Sequence, residues 1–431
     1  MSIQKNEILK SLVYNGAKKK KLEITDVVLD RVSLELSIIE NKGFADYFIL
    51  YSRIIEICNE LNLVRSAGRG SAAGSLINYC LDITKLNPLN HSLIFESFIN
   101  YKRTKSPDID IDIPKGYQKI VINKLKQKYQ EYNTYFIAFT PQRESDYEDI
   151  FYNNISYKKH PCGIIILNET LTDSVINYKN QEFYLVSDIS KDSVYSNKID
   201  ILELGYLNRL QLIVEQIGKE YHPFNIPTND KSVFALLSRG ENENIFQFNT
   251  PSMSRILSDF KPENINDLSV LNATYRPGPL ELIPKLIENK DYGYERFRNH
   301  LINKLLEETY GILVYQETFL ELLNQIAGFT YEDADIWRVK LFKSKSNDTT
   351  NLLSEFFEIF TEKINYLGEK DIIKLRNMIE NNHKMTFQKS HSLSYSLIGY
   401  WGAFYKTYFN SVFEEIFSQE INYETFEFYK S

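Results

Sequence analysis

The sequence has few cysteines and no long apolar segment. Its three cysteines, Cys58, Cys80 and Cys162, are scattered, with no CxxC pair and no Cys/His spacing typical of a zinc site. This argues against a disulfide framework and favours a reducing compartment. No apolar run reaches the length of a membrane-spanning helix and no signal peptide is visible, so we expect a cytoplasmic protein without a membrane span.

The sequence also has fewer basic than acidic residues. The 50 Lys and Arg residues face 57 Asp and Glu residues, which gives a net charge of −7. This excludes a uniformly basic coat for binding nucleic acid, but not a local basic channel, because the field depends on how charges are distributed. A chain of 431 residues with 43% hydrophobic and 25% charged residues has the composition of a globular protein of two or three domains.

Along the chain, the pattern is helical, then mixed, then helical again. Residues 1–60 carry apolar side chains at the spacing of amphipathic helices. Strand-like runs occur between residues 163 and 186, and from about Ile201 the pattern is mostly helical. Residues 116–150 show no clear core pattern. These observations predict an α+β fold with a large helical region after the strands.

The stretch SPDIDIDIP, residues 106–114, alternates aspartate with isoleucine. Period-2 alternation predicts a strand with the isoleucines on one face and the aspartates on the other. Same-face neighbours lie ~6.5–7 Å apart, so these carboxylates repel one another. One interpretation is an amphipathic strand with a solvated acidic face. The other is a carboxylate group bridged by divalent cations, with magnesium favoured, as phosphoryl-transfer chemistry requires.

A glycine-rich loop, GRGS at residues 68–71, precedes a predicted helix over residues 76–81. Glycines let backbone N–H groups approach a phosphate, and a helix N-terminus favours anions. The loop is neither a P-loop nor a complete GxGxxG motif, so a simple tight turn is the alternative. Its position before the aspartate strand is the order found in nucleotidyltransferase palms.

Residues 65–113 resemble the palm of the C-family bacterial DNA polymerase III α subunits, which carry a GRGS-GAGSL loop and a PDFDIDF strand in this order. Further segments resemble the family collinearly: KKHPCGIII resembles KHAGGVVI, KIDILEL resembles KFDFLGL, IFQFNTPSM resembles VFQLESRGM, and YRPGPLE resembles FRPGPL. Residues 311–345 and 387–400 resemble the finger motifs. The resemblance implies a polymerase β-like nucleotidyltransferase palm followed by helical fingers.

The resemblance also implies a division into domains. We expect the first part of the palm in residues 1–115, a reduced thumb in 116–157, the second part of the palm in 158–205, and helical fingers in 206–431. No counterpart of the family's polymerase-and-histidinol-phosphatase, helix-hairpin-helix, clamp-binding or OB regions is visible, nor is an exonuclease motif. The expected unit is a minimal catalytic core.

Three carboxylates match the family's metal ligands. The catalytic pair matches Asp110 and Asp112, and the third carboxylate matches Asp200 in KIDIL. The resemblance implies that Asp110, Asp112 and Asp200 hold two Mg²⁺ ions. Asp108 matches the family's first aspartate, which is not usually counted as a ligand.

The resemblance places a second group of residues around the nucleotide. Gly70 and Ser71 would contact its phosphates, and Lys198 would neutralise phosphate charge. His391 would lie near the incoming sugar, whereas the role of His160 stays open between structure and function. The fingers would add cations to the triphosphate, although Val339 stands where the family has a second arginine; these cations are Arg338, Lys343 and Lys345.

The implied function is a DNA-directed DNA polymerase core that extends a primer on primer-template DNA, using dNTPs. Low processivity is expected, and a separate accessory subunit could supply a clamp, thumb or proofreading activity. Two alternatives stay open: a nucleotidyltransferase with little template dependence, and an inactive DNA-binding or scaffold relic. The retained carboxylates, GRGS loop and finger cations favour catalysis, because an unpaired acidic cluster costs stability.

Overall fold

The computed structural model describes most of the chain: residues 2–103, 106–139, 149–152, 155–171, 173–178, 181–186, 198–343 and 349–420.

The described residues form seventeen α-helices and seven strands. The helices are α1 (Ser2–Lys19), α2 (Asp26–Lys42), α3 (Ala45–Glu60), α4 (Leu76–Cys80), α5 (Gln118–Lys128), α6 (Gly205–Ile217), α7 (Lys231–Ser238), α8 (Pro251–Phe260), α9 (Ile265–Thr274), α10 (Ile283–Tyr292), α11 (His300–Leu306), α12 (Gln316–Glu321), α13 (Tyr331–Lys343), α14 (Thr349–Lys363), α15 (Glu369–Asn382), α16 (Lys389–Tyr408) and α17 (Asn410–Ser418). The strands are β1 (Asp110–Ile113), β2 (Asn133–Phe139), β3 (Asp149–Tyr152), β4 (Ile155–Leu167), β5 (Val175–Tyr178), β6 (Gln181–Val186) and β7 (Lys198–Glu203).

All seven strands belong to one mixed sheet in the order β1-β7-β4-β2-β6-β5, with β3 paired to β4. Strands β1 and β7 are parallel, as are β2 and β6, whereas β4 runs antiparallel to both β2 and β7. Together with the many helices, this sheet confirms the predicted α+β class. The finer assignment to a polymerase β-like palm stays a prediction.

The alternation in β1 separates its two faces as the sequence predicts. Ile109, Ile111 and Ile113 are at most 3% exposed and pack in a core with α1, α2, α3 and α5. Burying each isoleucine side chain stabilises the fold by about 1.5–3 kcal/mol. The strand is therefore anchored by its apolar face, and its aspartates are presented on the other.

The region after β7 is helical, as the sequence predicts, and contains two further cores. One core joins α6–α9 with α16 and α17, and the other joins α11–α15. Helix α16 packs against α7 and α9 and also touches a 3-10 helix at Gly70–Gly74. This contact joins the helical region to the loop beside the aspartate strand. Within the described ranges, no helix combines the length and apolar character needed to cross a membrane.

The segment expected to form a reduced thumb contributes to the sheet where it is described. Residues 118–128 form α5, which packs against α3, and residues 133–139 form β2, which lies between β4 and β6. Residues 116–150 show no clear core pattern in the sequence, so β2 was not expected. The boundary between palm and thumb stays a prediction.

Candidate active site

The parallel pairing of β1 with β7 brings the predicted aspartates together. Asp110 lies opposite Asp200 in register, so both side chains project from the same face of the sheet. Asp108, which precedes β1, extends this group, and one carboxylate oxygen from each of the three residues lies within 4.8 Å of the others. Two distant segments of sequence thus build one acidic site at the edge of the sheet.

Burial and acidic neighbours change the protonation of Asp110. Burial raises the pKa of Asp110 to about 7, with a further rise from the Asp108 carboxylate and smaller ones from Asp200 and Asp112, against the opposing effect of Arg69. Its side chain is only 23% exposed. Such a carboxyl is poised to gain a cation, because a positive ion would relieve both the desolvation and the repulsion.

Asp112 lies in a different environment from the other aspartates. Its side chain is 1% exposed and accepts a hydrogen bond from Arg69 Nη1 at 2.9 Å, and the Tyr395 hydroxyl donates to it at 3.5 Å. Burial raises the pKa of Asp112, while the Arg69 guanidinium opposes the rise. Arg69 Nε also lies 3.4 Å from Asp110 Oδ2. One guanidinium therefore bridges the two carboxylates that the sequence predicts as the catalytic pair.

The GRGS loop meets α16 at the predicted nucleotide-binding residues. Gly70 has φ +58°, and its N–H donates to His391 Nδ1 at 3.3 Å. Burial, assisted by Arg69, lowers the pKa of His391 to about 4, so the neutral ring can accept this bond. Ser71 follows in the half-buried start of the 3-10 helix. The structure thus brings Gly70, Ser71 and His391 together.

The short helix after the loop does not offer its N-terminus to a ligand. Helix α4 has five residues, and its first amides, at Leu76 and Ile77, donate to the buried Glu35 carboxylate at 2.8 and 3.0 Å. The expectation that a helix N-terminus here attracts phosphate is therefore wrong, because an internal carboxylate already satisfies it. The loop itself stays the candidate for phosphate contacts.

Lys198 and Asp200 share one face of β7, as their spacing predicts, and form an ion pair. Strand β4 lies alongside, with Gly163 opposite Asp200, and the Cys162 thiol donates to Asp200 Oδ1 at 3.4 Å. Burial and the Asp200 carboxylate raise the pKa of Cys162 to about 12. Lys198 is thus placed to balance charge at the third carboxylate.

Arg338, predicted to reach the triphosphate, is paired inside the helical region. It donates to Asp335 Oδ1 from Nε at 2.9 Å and from Nη2 at 2.6 Å, and to Gln316 Oε1 at 3.0 Å. Its side chain is 13% exposed. Lys343 ends α13 and its side chain lies outside the described residues, as does the whole of Lys345. The structure therefore brings the carboxylates together but does not join Arg338 to them.

Two residues at this site were not singled out from the sequence. Arg69 lies inside the GRGS loop, and a charged residue between two glycines of a candidate phosphate-binding loop could have indicated a site residue. Tyr395 lies four residues after His391, so both project from the same side of α16, and the two ring centroids are 4.3 Å apart. Tyr395 also accepts a hydrogen bond from Arg69.

Two models of known protein families match parts of this chain. The family model described as the bacterial DNA polymerase III alpha NTPase domain matches residues 7–145, and that of the bacterial DNA polymerase III alpha subunit finger domain matches residues 203–363. Together they match more than half of the chain.

Several curated relatives are named DNA polymerase III subunit alpha. The protein from Ureaplasma parvum serovar 3 is 30% identical over 96% of this chain and 49% of its own length. Those from Borreliella burgdorferi and Bacillus subtilis are each 30% identical, over 94% and 88% of this chain and 41% and 40% of their own lengths. The chain thus spans about half the length, or less, of these relatives. It belongs to the family of bacterial DNA polymerase III α subunits.

Proposed function

We propose that this chain carries the catalytic centre of a DNA-directed DNA polymerase, which extends a primer by nucleotidyl transfer from dNTPs. The observation that carries the proposal is the in-register pairing of Asp110 with Asp200, with Asp108 in the same group. Sequence similarity to proteins named DNA polymerase III subunit alpha supports it.

The carboxylates fit magnesium, which binds oxygen ligands and is commonly held by a few carboxylates together with substrate phosphates. Burial and acidic neighbours raise the pKa of Asp110, and a bound cation would offset both effects. We assign two Mg²⁺ ions to Asp110, Asp112 and Asp200, with Asp108 beside them. When bound, the ions would supply Lewis-acid activation of the primer 3′-hydroxyl and charge neutralisation on the triphosphate.

The chain's other residues orient the site. Arg69 holds the Asp112 carboxylate, and a cation at this position would compete with the guanidinium for Asp110 and Asp112. The neutral His391 ring accepts the Gly70 N–H and so ties the loop to α16. Gly70 and Ser71 would then face the nucleotide phosphates, with His391 near the sugar and Lys198 balancing charge near Asp200.

Primer extension with Mg²⁺ on templates of defined sequence tests the proposal, with one dNTP omitted at a time. Stops at the template positions that need the missing nucleotide are expected. Addition regardless of template would instead identify a template-independent nucleotidyltransferase. DNA binding without any incorporation would identify an inactive binding protein. The Asp110→Asn variant controls for a contaminating polymerase.

We expect distributive synthesis when the protein acts alone. With a net charge of −7, binding to DNA depends on a few local Lys and Arg contacts, and log K falls by about 0.9 per contact for each log unit of salt. Few contacts give a modest salt slope and fast dissociation. Single-encounter extension with excess trap DNA should therefore yield products only a few nucleotides longer than the primer.

Products hundreds of nucleotides long under the same conditions would contradict this expectation. They would indicate that the chain encloses the duplex by itself. If short products become long when a separate clamp or thumb subunit is added, that accessory partner holds the polymerase on the DNA and supplies its processivity.

A further inference from the structure

A second group of metal-ligand atoms adjoins the acidic site. His160 and Cys162 on β4 and Asp200 on β7 each offer one ligand atom, and these atoms lie within 4.8 Å of one another. Cys162 Sγ is 3.4 Å from Asp200 Oδ1 and 3.9 Å from His160 Nδ1. Asp200 belongs to this group and to the group with Asp108 and Asp110.

The backbone is shaped for this approach. Gly163 lies opposite Asp200 in the antiparallel β4–β7 pairing. A Cβ atom added at Gly163 would lie 2.8 Å from both His160 Nδ1 and Lys198 Cδ, closer than such contacts tolerate. A side chain at residue 163 would therefore have to displace the His160 ring and the Lys198 side chain beside Asp200.

The donor set has a different preference from the carboxylates. A thiolate, an imidazole and one carboxylate suit borderline-soft ions such as Zn²⁺ and Co²⁺, whereas Mg²⁺ prefers oxygen ligands alone. The similar KHAGG segment of the family has glycine where this chain has Cys162. The soft ligand is thus a feature of this chain rather than of the motif it resembles.

We propose that His160, Cys162 and Asp200 bind a zinc-like divalent cation, and that this binding withdraws Asp200 from the magnesium site. The second part rests on the proposed function, and the first part does not. Inhibition by zinc would then follow from two ions requiring the same carboxylate, without any change in fold.

Binding must replace existing contacts. Asp200 pairs with Lys198 through Oδ2, while Oδ1 faces the thiol. The metal–sulfur bond forms as the S–H bond breaks, and the proton passes to solvent. His160 Nδ1 now accepts the Gly163 N–H at 2.7 Å, and the metal would take over that lone pair. With three protein ligands and water in the fourth position, affinity should be lower than at a closed four-ligand structural site.

A Co²⁺ titration of the full chain, followed by optical absorption, tests the site directly. We expect a thiolate-to-cobalt charge-transfer band that saturates at one equivalent and that Zn²⁺ abolishes. Cys162→Gly should remove the band and weaken Co²⁺ binding at least about tenfold, since changes even to outer partners of metal ligands cost this much. Cys80→Ala, which removes a buried thiol on α4, should keep the band. A wild-type protein without the band, or a band that persists in Cys162→Gly, would overturn the site.

Competition with Mn²⁺, used as a paramagnetic substitute for Mg²⁺, tests the sharing of Asp200 without any need for polymerase activity. Zn²⁺ should release bound Mn²⁺ from the wild type, and Cys162→Gly should need at least about ten times more Zn²⁺ for the same release. Simultaneous binding of both ions would overturn the shared carboxylate. Absence of Mn²⁺ binding to the wild type would overturn the proposed magnesium site, whereas the cobalt titration decides the His160–Cys162–Asp200 site by itself.

Discussion

The two charged regions proposed to act on the nucleotide differ in how their charges are balanced. At the sheet edge, Asp110 lies among other carboxylates, and burial and these neighbours raise its pKa to about 7. On α13, Arg338 has its guanidinium paired with Asp335 and hydrogen-bonded to Gln316. The acidic region therefore contains several like charges close together, whereas the charge and hydrogen-bond donors of Arg338 already have partners.

The energetic cost of preorganising charged groups differs between the two regions. The aspartates are fixed by a sheet whose apolar face is buried, so they repel one another until a cation arrives. Arg338 must exchange its partners before it can contact a triphosphate. Neutralising an aspartate that lies among like charges should therefore affect chemistry without loss of stability, whereas replacing Arg338 should affect both.

The largest effect is expected when a carboxylate at the sheet edge is neutralised. Asp110→Asn and Asp200→Asn should each reduce nucleotide addition at least about 1000-fold, because a metal ion's charge stabilisation is worth several kcal/mol. Single-turnover incorporation measures the loss. Thermal unfolding in the absence of divalent cations should show equal or higher stability, since repulsion is relieved.

Asp108 and Asp112 distinguish two alternative sets of metal ligands. The family match assigns Asp112 as the partner of Asp110, whereas the structure groups Asp108 with Asp110 and Asp200. We expect Asp112→Asn to be as severe as Asp110→Asn, and Asp108→Asn to be milder because the exposed Asp108 can be replaced by water. Equal loss at Asp108 would show that the three grouped carboxylates form the metal site.

A smaller effect is expected in the pH dependence of stability. The pKa of Asp110 is raised to about 7 in the folded protein, so between about pH 4 and 7 the folded chain keeps a proton that the unfolded chain has lost. Its contribution to stability therefore falls as the pH rises through this window. Asp110→Asn should be near neutral below about pH 4, stabilise increasingly as the pH rises through the window, and stabilise by about 2 kcal/mol at pH 8, after allowance for partial exposure.

Urea denaturation of both proteins at matched pH measures this difference. The comparison between variants is necessary because the buried His222 and the half-buried His391, with pKa values lowered to about 4, make overall stability rise with pH over part of the same range. Mg²⁺ should stabilise the wild type at pH 8 and leave Asp110→Asn unchanged. A difference that does not vary with pH would contradict the raised pKa.

Removing Arg69 tests whether its guanidinium supports the buried Asp112. Arg69→Ala should lower the free energy of unfolding by about 1.5 kcal/mol at pH 8, at the lower end for a charged hydrogen bond because Arg69 is partly exposed. Urea denaturation measures this loss, which Asp112→Asn should largely restore in the same background. If the two changes add independently, the Arg69–Asp112 contact carries little energy.

The sequence predicted the parts of the site that depend on local pattern. The alternation of isoleucine and aspartate was sufficient to predict strand β1, because one face of this strand is apolar and the other is acidic. The same criterion did not predict strand β2, because this strand is buried on both faces. Phe136 packs in the core that contains α1–α5, and its neighbour Tyr135 packs in a separate cluster on the other face. Consecutive apolar residues do not distinguish such a strand from a buried helix.

Contacts between distant segments were beyond local pattern. The pairing of Asp110 with Asp200 was expected only from the family resemblance, because their separation in sequence carries no signal. The contact of Arg69 with Tyr395 joins the loop to a helix near the other end of the chain. The pairing of Arg338 with Asp335 was visible as an i, i+3 spacing on a helix, but the resemblance favoured a ligand role.

The smallest predicted effect concerns Arg338. Arg338→Ala should raise the apparent KM for dNTP about tenfold, the equivalent of one charged hydrogen bond, and should change primer-template affinity less. Lys343→Ala should act in the same direction. Steady-state extension at varied dNTP, together with DNA binding measured by anisotropy, separates the two quantities.

Measurements of stability and KM together decide whether Arg338 keeps its contacts with Asp335 and Gln316 or leaves them to bind the triphosphate. If Arg338 only fastens α13, then Gln316→Ala and Asp335→Asn should reproduce its loss of stability, and KM should not change in any of the three variants. If Arg338 leaves these partners to bind the triphosphate, Asp335→Asn should free the guanidinium and keep or lower the KM, while Arg338→Ala raises it. A KM that rises in Arg338→Ala and is unchanged or falls in Asp335→Asn would therefore show that Arg338 binds the nucleotide. Loss of DNA affinity in Arg338→Ala at constant KM would show that it contacts the duplex instead.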